Sequence, residues 1–167
     1  MRDFNVIHGD LLNANVDYIV HQVNCQGRMG SGVAKAIRER HMTVYNKYVE
    51  EIEAYKHYGN TILGHSQLVE VMNGNPYKGV INMFAQDNYG YDGKQYTSIE
   101  ALQKCLIELN RIAKGCSVAF PWKVGCVRGG ADWDTVLDMI CLELRDVKSI
   151  TFYKLDLGWW YDTLYNI

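Results

Sequence analysis

Tyr18-Ile19-Val20-His21-Gln22-Val23-Asn24-Cys25-Gln26-Gly27-Arg28-Met29-Gly30-Ser31-Gly32-Val33-Ala34 passes from an apolar strand pattern, through a glycine-rich loop, into a helical pattern carrying Ala36, Ile37 and Arg40. Such a loop can cradle an anion. Glycine permits close approach and unusual φ angles, and the first turn of a helix leaves N–H groups without partners inside the helix. A plain tight loop has the same composition, because a Gly-x-Gly pair alone carries little information. The rest of the chain has to decide between them.

Val124-Gly125-Cys126-Val127-Arg128-Gly129-Gly130-Ala131-Asp132-Trp133 repeats the arrangement after the apolar run 117–120. Two cradles suit a diphosphate. A Rossmann site would place its loop directly after the first strand with full Gly-x-Gly-x-x-Gly spacing, whereas position 35 is lysine and the first strand runs into Gly9-Asp10-Leu11-Leu12. A carboxylate at Asp10 can accept from an adenine amino group while the next backbone amide donates to the ring; as plain structure, Asp10 is a turn or capping residue.

Strand-like runs fall at 4–8, 18–23, 67–72, 80–85, 117–120 and 149–155. Helical patterns lie between them. One opens at Thr97 with Glu100 as a capping box, carries Ile99, Leu102, Leu106, Leu109 and Ile112, and stops at Gly115. Another follows the N-cap Asp132 with Trp133, Val136, Leu137, Ile140 and Leu144 on one face, a third follows Ser31, and a fourth covers 43–58. Alternation of this kind predicts an α/β fold, a largely parallel sheet covered on both faces, with ligands at strand C-terminal ends.

The 167 residues, 48% hydrophobic and 22% charged with two prolines, are expected to fold as one domain over 1–167. Seventeen basic against nineteen acidic residues give a net charge of −2, which argues against a long nucleic acid as partner and toward a small anion held by local geometry. Cys25, Cys105, Cys116, Cys126 and Cys141 form no C-x-x-C pair, and His8, His41, His57 and His65 have no ligand spacing, so no metal and no cofactor is expected. The opening Met1-Arg2-Asp3-Phe4-Asn5 lacks a signal-peptide stretch, and no apolar run is long enough for a bilayer. The expectation is therefore no membrane partner and a cytoplasmic protein, in a host's cytoplasm if phage-encoded.

Four segments together resemble the macro domain, the ADP-ribose 1″-phosphate processing family. They are Gly9-Asp10-Leu11, His21-Gln22-Val23-Asn24-Cys25 through Gly30-Ser31-Gly32-Val33-Ala34, Pro121 with Gly125-Cys126 through Trp133, and Thr151-Phe152-Tyr153-Lys154-Leu155. The resemblance implies a three-layer α/β/α fold with a mostly parallel mixed sheet. It implies adenine at Gly9, Asp10 and Leu11, and the distal ribose and one phosphate at Asn24, Gly30, Ser31, Gly32 and Val33. The diphosphate would lie under Gly125, Cys126, Val127, Arg128 and Gly129. Tyr153 or Leu155 would flank the adenine or simply pack in the sheet.

The stretches His21–Gly27 and Asn82-Met83-Phe84-Ala85-Gln86 are similar to the small bacterial, phage and fungal branch near ADP-ribose 1″-phosphate phosphatase. Branches that strip ADP-ribose from acidic side chains or DNA use a lysine where Gln86 stands, and the first of these pairs it with an aspartate where Gly129 stands. Glutamine can neither form a Schiff base nor supply a charge. Val127 replaces a frequent glycine, and its Cβ is expected to reshape the second cradle.

For chemistry the candidates are Asn24, His21 and Asp132, with Arg128 offering a cation for a phosphate. His21 resembles a histidine proposed as catalytic in the fungal phosphatase, but it sits in an apolar run, as a satisfied core histidine would. Asp132 is explained equally by capping. Two functions stay open: hydrolysis of an ADP-ribose derivative, foremost the terminal phosphate of ADP-ribose 1″-phosphate by an enzyme lacking the lysine, or binding without turnover as a reader or a sponge for a signalling nucleotide. The aromatic segments Gly158-Trp159-Trp160-Tyr161 and Leu164-Tyr165 suit either packing on the sheet or a dimer contact.

Overall fold

The computed structural model describes residues 2–155; the aromatic C-terminal segments named above lie outside them. Along the chain come β1 (Asn5–His8), a 3₁₀ turn (Leu11–Asn13), β2 (Tyr18–Asn24), α1 (Gly32–Arg40), α2 (Met42–His57), β3 (Ser66–Glu70), β4 (Gly79–Gln86), α3 (Ile99–Ile112), β5 (Ser117–Pro121), α4 (Trp133–Glu143) and β6 (Ser149–Lys154). The sheet order is β1-β6-β5-β2-β4-β3. Every pairing is parallel except the edge pair β3–β4. This is the three-layer α/β/α arrangement with a mixed, mostly parallel sheet.

Side-chain alternation along the strands divides the core. Val20, Ile81, Met83, Val118, Phe120, Ile150 and Phe152 meet α3 and α4 through Leu102, Leu106, Leu109, Val136 and Ile140. On the opposite face Ile19, Val80 and Ala119 meet Ile37 of α1 and Val44 of α2, while Val23 and Phe84 meet Tyr48 and Ile52 of α2. Leu102, Leu106 and Leu109 are fully buried, each contributing roughly 1.5–3 kcal/mol of transfer free energy. Among the described residues no helix is long and apolar enough to cross a membrane.

Three boundaries differ from the sequence expectation. The N-cap of α3 is Ser98, whose side chain accepts from Ala101 N. Thr97 is excluded from that role because its hydroxyl donates 2.7 Å to Gly125 O. The cap at the other end is Ala113, with Gly115 at φ +73° two residues on, donating its N–H to Asp146 O. The third strand ends at Glu70, beyond which Val71 N bonds Lys78 O as the chain turns toward β4.

Asp17, just before β2, clamps the sheet's lower edge. Its carboxylate accepts from Ser117 N at 2.8 Å and Ser117 Oγ at 3.1 Å, and meets Lys78 Nζ at 3.1 Å. The Ser117 amide foremost holds its pKa below the usual carboxylate range against the opposing effect of burial, with Lys78 adding to the lowering. A depressed folded pKa gives stability that is present above the unfolded value and lost as pH falls through the folded one. Asp17→Ala is therefore expected to cost about 1–2 kcal/mol at neutral pH, and the loss relative to wild type should shrink in urea melts repeated below pH 4.

Candidate functional site

A cleft of about 600 Å³ opens over the C-terminal ends of the five mutually parallel strands. Its centre lies between β2 and β5. From β2 the chain leaves toward β3 and β4, and from β5 it leaves toward β6, so the two loops diverge there as at the switch point of any open α/β sheet.

Asn24 ends β2 and builds the first loop. Its Oδ1 accepts from Gln26 N at 3.0 Å and Tyr48 Oη at 2.9 Å, while its Nδ2 donates 2.8 Å to Arg28 O. The amide is thus a brace for the turn through Gly27, which sits at φ +77°. Beyond it Gly30, Ser31, Gly32 and Val33 line the cleft. Ser31 occupies the N-cap of α1 without making a side-chain cap bond. Gly32, Val33 and Ala34 consequently present first-turn N–H groups with no acceptor among the described residues, at the positive end of the helix.

The second loop is pinned at both ends by Thr97. Its hydroxyl holds Gly125 O, and Tyr96 N and Thr97 N both donate to Gly129 O at 2.8 and 3.0 Å. Gly125, Val127, Arg128 and Gly129 line the cleft, but Cys126 does not. Cys126 N closes a turn onto Lys123 O and Cys126 packs against the α3/α4 core. Burial pushes its thiol up to about 12, and its side chain lies away from the cleft lining. Val127 adopts no left-handed backbone: among the described residues the single non-glycine with positive φ is Lys123. The Arg128 guanidinium lies 4.6 Å from the Tyr91 ring centroid at the cleft mouth.

At the β1/β6 end, Asp10 Oδ1 caps the 3₁₀ turn by accepting from Leu12 N at 2.9 Å, leaving Oδ2 for another donor. Gly9 and Leu11 lie beside it on the cleft lining, as do Tyr153 and Leu155, and Gly9 N donates to Lys154 O. Four cations (Arg28, Lys123, Arg128 and Lys154) and one carboxylate, Asp10, line the cleft. A chain of net charge −2 therefore has a cleft with a local cationic bias.

His21 is 1% exposed, and its Nε2 lies 2.5 Å from Asn82 Oδ1. Burial holds its pKa down at about 4, the Asn82 bond opposing the shift, so the imidazole is neutral. It reaches the cleft floor nonetheless. Asp132 does not: its carboxylate accepts from Thr135 N and Oγ1 at the start of α4, foremost the amide holding its pKa low, and it serves as the N-cap of that helix. Gln86, singled out in the sequence as standing where related branches carry a lysine, is on the lining, and sequence reasoning missed Gln22, Tyr89 and Tyr91 beside it. The rule that directs attention to strand C-termini, applied to the fourth strand, points to 86–91. Among the described residues no three His, Cys, Asp or Glu side chains converge as a metal site would.

The family model described as Macro domain matches residues 20–140. Two mycobacterial proteins named DNA ADP-ribosyl glycohydrolase, from Mycobacterium bovis and Mycobacterium tuberculosis, are each 28% identical over 150 residues. The match covers 86% of this chain and 40% of theirs, so the chain spans well under half the length of these relatives. The macrodomain of M. tuberculosis DarG superposes with a TM-score of 0.71 at 26% identity, covering 92% of this chain and 98% of that one. A Thermosipho africanus DarTG structure in complex with ADP-ribose superposes at 0.71 with 18% identity, covering 91% of this chain and 41% of that one, a likeness of fold.

The two cradles differ in how tightly they are packed. A Cβ on Gly129 would lie 2.0 Å from Thr97 Oγ1 and 2.4 Å from Gly125 O, whereas one on Gly30 meets nothing within 4 Å. Gly129→Ala is expected to lower the melting temperature by about 2–4 °C or more, as a loss of ~1 kcal/mol or more does in a chain of this size. Gly30→Ala should leave it within about 1 °C; equal melting of both variants would refute the packing difference.

Proposed function

The chain belongs to the macro-domain family, and on that footing we propose that its cleft binds ADP-ribose or an ADP-ribose derivative. The observation that carries this reading is the uncapped N-terminus of α1, whose free N–H groups face a cleft with a cationic lining. Backbone donors of this kind hold a diphosphate without a net basic surface. Asp10 stands at the other end of the strand order, with one carboxylate oxygen engaged by the turn and the other available for the adenine amino group. Gly9, Leu11, Tyr153 and Leu155 then flank the base, and Val127 and Arg128 close over the phosphates.

A second reading, hydrolysis of the terminal phosphate of ADP-ribose 1″-phosphate, is favoured by one feature. Neutral His21, a residue of the cleft lining, has a buried Nδ1 with no partner. That nitrogen can hold a water by accepting its hydrogen, leaving the oxygen lone pair free to attack phosphorus. The bond from phosphorus to the sugar oxygen breaks, the leaving oxygen takes up a proton, and inorganic phosphate and ADP-ribose result. Asn24 would then act by keeping the loop, and with it the distal sugar, in place.

Calorimetry with ADP-ribose should register binding, and the ligand should raise the melting temperature by mass action; millimolar ligand without heat or shift refutes the reading. Asp10→Asn keeps a cap for Leu12 N but loses the charged acceptor, and should weaken ADP-ribose by about tenfold without moving the melt. The hypoxanthine analogue, which lacks the amino group, should be indifferent to that substitution. Phosphate release from ADP-ribose 1″-phosphate tests the second reading. If His21 holds the water, the rate stays flat as pH falls through 6.5 and drops only near about 4, because its neutral form persists to that point.

A further inference from the structure

Among the described residues Lys123 alone of the non-glycines has a left-handed backbone, at φ +56°. It comes two residues after Pro121, the last residue of β5, and Val124 N donates 3.2 Å to Pro121 O, so Lys123 is the third residue of a closed turn. Trp122 before it is not left-handed. A negative φ followed by a positive one is the type II pattern, whose third position is ordinarily glycine or asparagine. Glycine eases that conformation by lacking a Cβ and asparagine by bonding locally; lysine does neither. A residue held there against its own preference points to a use for its side chain, and Lys123 lines the cleft.

Lys154 stands on the next strand at the same level. β5 and β6 pair in parallel with Pro121 opposite Tyr153, and Trp122 N donates 3.0 Å to Tyr153 O. Lys123 and Lys154 are each the next residue on from that bond. Both are half-buried, and both line the cleft. Their backbones are fixed as well: Lys154 O accepts from Gly9 N and Lys123 O from Cys126 N, each at 3.0 Å.

The sheet order places this pair between the two poles of the cleft. Asp10 follows β1, the lysines leave β6 and β5, and the open first turn of α1 follows β2. With the base at Asp10 and the diphosphate at α1, the sugar of the adenosine half lies over the ends of β6 and β5. That sugar carries hydroxyls and no charge, so it gives two ammonium groups no anion to meet. We propose that Lys123 and Lys154 form a subsite for a phosphate on the adenosine ribose, at its 2′ or 3′ oxygen, so that the cleft prefers an ADP-ribose derivative phosphorylated on that sugar. Basic side chains serve the 2′-phosphate of dinucleotides in the same way on other folds. Two strand steps separate β1 from β5, roughly 10 Å at about 4.8 Å each. That is more than the ~8 Å screening length at physiological salt, so Asp10 does not cancel the charge of Lys123. This inference rests on the ADP-ribose reading and adds a group to that ligand.

Calorimetry at one fixed salt concentration compares ADP-ribose with 2′-phospho-ADP-ribose, and AMP with the 2′,5′- and 3′,5′-bisphosphates of adenosine. In wild type the added phosphate should tighten binding by about tenfold, as charge-assisted hydrogen bonds do, and the position that gains identifies the oxygen. This comparison needs no variant to fold. Lys123→Gly removes the ammonium and relieves the turn, so it should melt no lower than wild type and yet reduce the gain to within about twofold, with ADP-ribose itself held within about twofold. Lys154→Gln should likewise lose most of the gain, and Lys123→Arg, which keeps a cation, should retain it. Three results each overturn the proposal while leaving the ADP-ribose reading intact: no gain from phosphate at either position, a gain that survives both Lys123→Gly and Lys154→Gln, or an equal loss of ADP-ribose in those variants, which would put the lysines on the diphosphate. Failure of wild type to bind ADP-ribose overturns both.

Discussion

Strand β2 pairs in parallel with β5 on one side and β4 on the other. Parallel pairing puts the C-terminal ends of all three strands at one edge, and each must be left by a loop that crosses over a face of the sheet. The crossover from β2 carries α1 and α2 along one face, and that from β5 carries α4 along the other, so the edge between them cannot be covered by either helix layer. Backbone groups there must find partners other than a sheet ladder. The chain meets part of that demand itself, through Asn24 on the first loop and Thr97 on the second. It leaves the first turn of α1 unmet. The cleft is the space between these two loops.

The second loop and the segment after β4 form a coupled unit. Tyr96 N, Thr97 N and Thr97 Oγ1 hold Gly129 and Gly125, Gln22 holds Thr97 and Gln86 together, and Arg128 lies over Tyr91. A displacement of either segment must carry the other, because these bonds hold the loop on both sides of its apex. The first loop is braced separately, by Asn24 and Tyr48 from α2. Opening of the cleft is therefore expected to be a motion of the first loop and α1 relative to the second loop, with glycine at 125 and 129 because a Cβ at either would strike the brace.

The legible part of this structure is the part in which physics narrows the residue type. The turns at Gly27 and Gly125, both at positive φ, favour glycine, and the apolar runs of buried parallel strands stand out as continuous hydrophobic stretches. The burial of His21 was readable from the run around it. The Gln22–Gln86–Thr97 network was not, since its members lie 64 and 75 residues apart and glutamine has no positional signature. The same network explains the shifted cap of α3: threonine and serine at 97 and 98 are equally good caps, and the tertiary partner at Gly125 decided which was free. The place of Cys126 was not legible either: a glycine-flanked residue looks like part of a cradle, whereas a local turn onto Lys123 packs its side chain against the core.

Charge is distributed along the cleft in a way that suits the proposed ligand. Asp10 on the β1 side and the end of β2 are separated by three strand steps, roughly 14 Å at about 4.8 Å each. That exceeds the ~8 Å screening length at physiological salt, so a carboxylate at the adenine end adds little repulsion to phosphates held near β2 and α1. Close to the phosphates a carboxylate would oppose the α1 amides and Arg128 directly. There the chain places glutamine and a neutral histidine. Burial keeps His21 uncharged down to about pH 4, so that end of the cleft adds no negative charge, and its charge should not change across the physiological pH range.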